Sequence, residues 1–62
     1  MSYRTIVALI NVYLGESLEP EMPERQSLIL QHYITKEGHM TTKGITFVRV
    51  IQDIANLALG ID

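Results

Sequence analysis

Between Met40 and Gly60, small or apolar residues recur at Gly44, Phe47, Val48, Ile51, Ile54, Ala55 and Ala58, the i, i+3, i+4, i+7 spacing of one helical face. The start of this helix is also encoded. Thr41 can accept from free N–H groups of the first turn, and Met40 before it can close on Ile45 as a hydrophobic staple. Gly44 costs a helix about 1 kcal/mol against alanine, so its place inside the pattern implies a close backbone crossing. With about 100° per residue, Leu57, Val50, Ile61, Ile54, Phe47, Ala58, Ile51, Ala55, Val48 and Leu59 sweep roughly 200°. Thr46, Arg49, Gln52, Asp53 and Asn56 take the remainder. A helix on a small core needs little more than about 100° of apolar surface. Phe47, Val48, Ile51, Ala55 and Ala58 are therefore assigned to the core of the chain. The flank of Val50, Ile54, Leu57 and Ile61 is assigned to an interface with a second chain.

Upstream, Ser2 suits the cap of a first helix, with Tyr3, Ile6, Val7, Leu9, Ile10, Tyr13 and Leu14 on one face and Arg4, Ala8, Asn11 and Gly15 opposite. Val12 does not fit that face, and the β-favouring residues of the same stretch make a strand the competing reading. Gly15 suits the position just past a helix end. A second helix is expected from Pro23 to Lys36. Pro23 fits a first turn, where its missing N–H costs nothing, and Gly38 would end the helix in the left-handed conformation. Lys36 would then lie at the negative helix end. Leu28, Ile29, Leu30, His32, Tyr33 and Ile34 leave only Glu24, Ser27, Gln31 and Thr35 free, which marks this helix as the buried, central one. The predicted fold is all-α: a small three-helix domain over residues 1–62, with helices near 2–14, 23–36 and 42–59.

Length sharpens the case for association. A chain of 62 residues buries only about 60% of its unfolded surface, and small domains rely on disulfides, metals or oligomerisation. There is no cysteine, which leaves oligomerisation, and a homodimer through the last helix is expected. The net charge of −2 and five scattered Lys and Arg residues argue against a nucleic-acid partner, which requires clustered cations. Glu16, Glu19, Glu21 and Glu24 lie in and just after the connecting loop with no basic residue among them. They read as a solvated loop whose last acids favour the start of the next helix, and secondarily as a docking surface for a basic partner. The apolar stretch Ile6–Ile10 is too short for a secretory leader, and no stretch reaches the length of a membrane span. The expected location is cytoplasmic.

Neither the nucleophile-elbow pattern nor a phosphate-binding glycine loop occurs. His32 and His39, even with Glu37, lack the spacing of a closed metal site. They read as a core-edge residue and an exposed turn residue. No catalytic group and no cofactor or metal site is identified, and the chain is not expected to be an enzyme.

The run from Leu28 to Val50, centred on Gly38-His39-Met40-Thr41-Thr42-Lys43-Gly44-Ile45-Thr46-Phe47-Val48, resembles the ending of winged-helix and small phage-encoded proteins. There a helix is followed by a short extended step, a threonine cap, a basic residue, a glycine and an aromatic residue opening the last helix. The resemblance implies a helical phage or prophage accessory domain with a DNA-binding ancestor. This chain departs from the pattern in its non-basic recognition segment and in lacking room for a full wing, so DNA binding is not carried over. The functional expectation is a non-enzymatic protein–protein interaction module acting as a homodimer. Its alternative is a minimal helix-turn-helix DNA-binding regulator in which Arg25, Lys43 and Arg49 converge on one surface.

Overall fold

The computed structural model describes residues 2–60. It contains three helices, α1 (Tyr3–Tyr13), α2 (Pro23–Leu30) and α3 (Thr42–Ala58). No strand occurs among the described residues; Ile34 and Met40 form an isolated antiparallel bridge. Both α2 and α3 pack on α1 and not on each other.

The first helix starts where Ser2 Oγ accepts the Thr5 N–H at 3.3 Å. The same hydroxyl pairs with Thr5 Oγ1 at 2.8 Å, which satisfies the one buried polar side chain of the core. At its end the Gly15 N–H bonds the Val12 carbonyl (3.0 Å) and the Glu16 N–H bonds the Asn11 carbonyl (2.9 Å). This paired closure requires the positive φ of 98° at Gly15. The helical reading of this stretch holds, but its face is rotated. Thr5, Ala8, Leu9 and Val12 are the buried residues, so Ala8 and Val12, expected off the inner face, lie on it. α2 and α3 both pack on α1, and small Ala8 is buried on its inner face at 3% exposure.

The second helix is shorter than expected, ending at Leu30 rather than Lys36. The Tyr33 N–H bonds the Leu28 carbonyl (2.9 Å) and the His32 N–H bonds the Ile29 carbonyl (3.0 Å). That is the glycine-type helix ending performed by His32, at φ 64°. Gly38 instead completes a turn. Its N–H reaches the Thr35 carbonyl (2.9 Å) while the Thr35 N–H bonds the His39 carbonyl (2.8 Å), with Gly38 at φ 90°. This is the three-residue hairpin turn in which the last loop residue is left-handed. The β-branched run Ile34-Thr35 prefers this extended conformation over a helix. Arg25 holds the hairpin to α2 by donating from Nη2 to the Lys36 carbonyl at 2.7 Å.

α2 is consequently not the central element. It buries only Leu28, Leu30 is 75% exposed, and His32 is exposed rather than packed at a core edge. The centre is α1, and the core is Ala8, Leu9, Val12, Leu28, Ile34 and Val48. Met40, Phe47, Tyr33 and Leu18 pack against it, half-buried.

α3 begins as its sequence indicates, with the Thr41 hydroxyl accepting the Gly44 N–H at 3.1 Å. A methyl group at Gly44 would overlap the Tyr33 carbonyl oxygen and stand 3.2 Å from Met40 Cε, so the expected backbone crossing is the Tyr33 peptide. α3 buries only Gly44 and Val48. Ile51 is half-buried, and every residue from Gln52 to Gly60 is exposed. Ala55 and Ala58, assigned to the core from their angular position, are therefore not in it. They point the right way around the axis but lie beyond the end of α1 and α2.

Two substitutions test this description by urea denaturation. Gly44→Ala should destabilise by about 1–3 kcal/mol through overpacking, against the gain of about 1 kcal/mol that helix propensity alone gives. His32→Gly should stabilise by about 1 kcal/mol, because a left-handed conformation costs a side-chain-bearing residue about 1–2 kcal/mol and the exposed ring loses no packing. A more stable Gly44→Ala protein, or a less stable His32→Gly protein, contradicts the respective geometry.

Candidate association surface

Two parts of the molecule concentrate exposed or polar groups, and they lie at opposite ends of α3. At its N-terminus the three consecutive carbonyls that leave α2 are all received by residues opening α3. Lys43 Nζ donates to the Gln31 carbonyl at 2.9 Å. The Thr41 hydroxyl lies 2.6 Å from the His32 carbonyl and 3.0 Å from that of Tyr33, sharing its proton between them. The Thr41 N–H also reaches the Tyr33 carbonyl, at 3.2 Å. Lys43 Nζ stands 4.7 Å from the Tyr33 ring centroid, and that ring packs on Phe47 with centroids 5.0 Å apart. Lys43, not Lys36, is thus the cation at the negative end of α2.

Two of the cations make structural hydrogen bonds. Lys43 and Arg25 are both directed onto backbone carbonyls, while Arg4, Lys36 and Arg49 sit on α1, the hairpin turn and α3. Among the acids, Glu16, Glu19 and Glu21 are exposed in the loop, and Glu24 is half-buried in the first turn of α2.

No group of three or more His, Cys, Asp or Glu among the described residues is placed to hold a metal ion. His39 lies beside Glu16 and Glu37 in an open hollow of about 240 Å³ that also exposes the backbone of Gly15 and Gly38. A second hollow of about 60 Å³, between Val12, Leu18, Arg25 and Ile34, has room for little more than water.

The other end of α3 is the extended apolar surface. Val50 is 50% exposed, Ile54 61%, Leu57 79% and Leu59 73%. Ala55 and Ala58 lie exposed between them. Three of the residues that periodicity assigned to an interface, Val50, Ile54 and Leu57, are thus brought together on one free helix half. Ile61 lies outside the described residues. Sequence reasoning missed Ala55 and Ala58 as members of this surface, because angular position alone does not reveal how far along the axis the body reaches. The structure offers no other chain segment over this surface among the described residues. No described helix is long and apolar enough to cross a membrane.

No family model, no curated protein and no solved structure matches the chain.

With a net charge of −2 and five Lys and Arg residues in all, duplex DNA should show no gel shift at physiological salt, where binding needs several simultaneous phosphate contacts. A salt-sensitive shift that Lys43→Glu or Arg49→Glu abolishes would establish the regulator instead.

Proposed function

We propose that the chain is a non-enzymatic protein–protein interaction module that works as a homodimer through the free half of α3. One observation carries this reading: past Ile51 the helix continues to Ala58 with no intrachain cover, and what it carries there is chiefly aliphatic. A helix this far from its body would fray if it remained solvated, because most helical stability in proteins comes from packing an apolar face. Exposed apolar surface bordered by polar residues marks an interaction site. Here Gln52, Asp53 and Asn56 supply the border.

The energetics favour a second copy over no partner. Fully burying an aliphatic side chain contributes about 1.5–3 kcal/mol, and in a closed pair each of Val50, Ile54 and Leu57 is buried twice. The sum is of order 10 kcal/mol, comparable with the association cost of about 4–15 kcal/mol. Ile51, Ala55 and Ala58 add to the favourable side. The acidic loop of Glu16, Glu19 and Glu21, exposed in the chain, is the secondary docking surface, suited by charge to a basic protein partner. A phage or prophage accessory role is the context that the resemblance of Leu28–Val50 supplies for such a module.

Sedimentation equilibrium over a wide concentration range should give a dimer, and the melting temperature should rise with protein concentration, as linkage requires when only the native state associates. Leu57→Asp should lower both the dimer population and the melting temperature. A strictly monomeric wild type with Leu57→Asp equally stable would overturn the reading.

A further inference from the structure

The free half of α3 also carries a pairing register. Phe47, Ile51, Ile54 and Ala58 follow one another at intervals of four, three and four residues, the a/d alternation of a coiled-coil seam. On that seam Val50, Ala55 and Leu57 fall on the flanking positions. The exposed polar residues Arg49, Gln52, Asp53 and Asn56 all fall on the three positions that a two-helix pair leaves in solvent. Leu59 falls with them. No charged residue lies on the seam or its flanks, so a second identical seam can meet it without burying an unpaired charge.

Direction follows from side-chain size. Side by side in parallel, Phe47 would oppose Phe47 at the body end while Ala58 opposed Ala58 at the free end, a bulge and a gap on one pair of axes. Reversed, Phe47 of one copy opposes Ala58 of the other and Ile51 opposes Ile54, so the seam layers are of similar volume, and the flanking Val50 lies on the same side as the other copy's Leu57, offset by two residues or about 3 Å along the axis. The reversed arrangement also puts the two bodies at opposite ends of the pair. Each free half then lies along the half of the other helix that its own body supports, where Phe47 is only half-buried.

Resting on the homodimer reading above, we propose that two copies join by antiparallel α3 helices about a two-fold axis between Gln52 and Asp53. Ile51 and Ile54 interlock across the centre and Phe47 closes over Ala58 at each end. The interface is isologous, each copy using the same patch, and therefore closed rather than fibre-forming.

The cysteine-free sequence makes the register directly measurable. Val50→Cys chains mixed with Leu57→Cys chains should couple through a short bifunctional maleimide into a mixed covalent dimer. Leu57→Cys chains alone should give none, because their thiols are separated by about 13 Å along the axis at 1.5 Å per residue. Ala58→Cys chains should not oxidise to a disulfide dimer. All three positions are exposed, so the body folds independently of them. A dimer whose Val50→Cys and Leu57→Cys chains fail to couple, or whose Ala58→Cys chains link to themselves, overturns the antiparallel register and leaves the homodimer standing. A chain monomeric at every concentration overturns both.

Discussion

The seat of the Tyr33 carbonyl against Gly44 is the constraint on which the rest of the structure depends. α2 and α3 do not pack on each other, so apart from their shared seat on α1 no helix–helix interface fixes their relation. What fixes it is a polar joint in which the Gln31, His32 and Tyr33 carbonyls leave one helix and are taken up by Thr41 and Lys43 at the start of the next. The joint is possible only because residue 44 has no Cβ. Since the hairpin between Ile34 and Met40 must close over the same joint, Ile34 is carried into the core and is nearly fully buried. One missing methyl group therefore positions a buried side chain several residues away.

Two cations tie the joint and its hairpin to the helices. Lys43 serves the negative end of α2 and stacks on Tyr33, and Arg25 serves the hairpin. Both cations keep their charge while doing so, and in a chain whose net charge is −2 Glu16, Glu19 and Glu21 stand exposed in the loop.

What the sequence made legible and what it hid divide along one physical line. Signals that act over one turn are readable: the Ser2 and Thr41 caps, Gly15 past the end of α1 and Pro23 at the start of α2, each depending only on neighbours three or four residues away. The close crossing at Gly44 is readable from a glycine inside a helical pattern, but its partner, the Tyr33 peptide, is not. The end of α2 was hidden because a histidine, not a glycine, takes the left-handed position, and because apolar residues of the hairpin continue the helical pattern by coincidence. Tyr33 and Ile34 are apolar for the sake of Phe47 and the core, not for a helix face. Val50, Ile54 and Leu57 were recognised as surplus from the width of the arc. Ala55 and Ala58 were misplaced, because a helical wheel projects the axis away and treats a residue under the body and one beyond it alike.

That lost dimension is where the functional argument lies. At 1.5 Å per residue, 17 residues of α3 make a rod of about 25 Å, while the molecule measures 37 × 20 × 19 Å. A body built from an 11-residue helix, an 8-residue helix and a hairpin spans less than the rod, so part of α3 has to project. Among the described residues the core is Ala8, Leu9, Val12, Leu28, Ile34 and Val48, and an apolar helix that projects from it is stabilised by packing where the projection is covered. The small core and the long helix are thus two sides of one allocation: Ile54 and Leu57, which could have enlarged the body, stand exposed on α3. In the homodimer proposed above, a second copy would bring to this half of α3 a complementary surface of equal length and the packing that no described segment of the chain gives it.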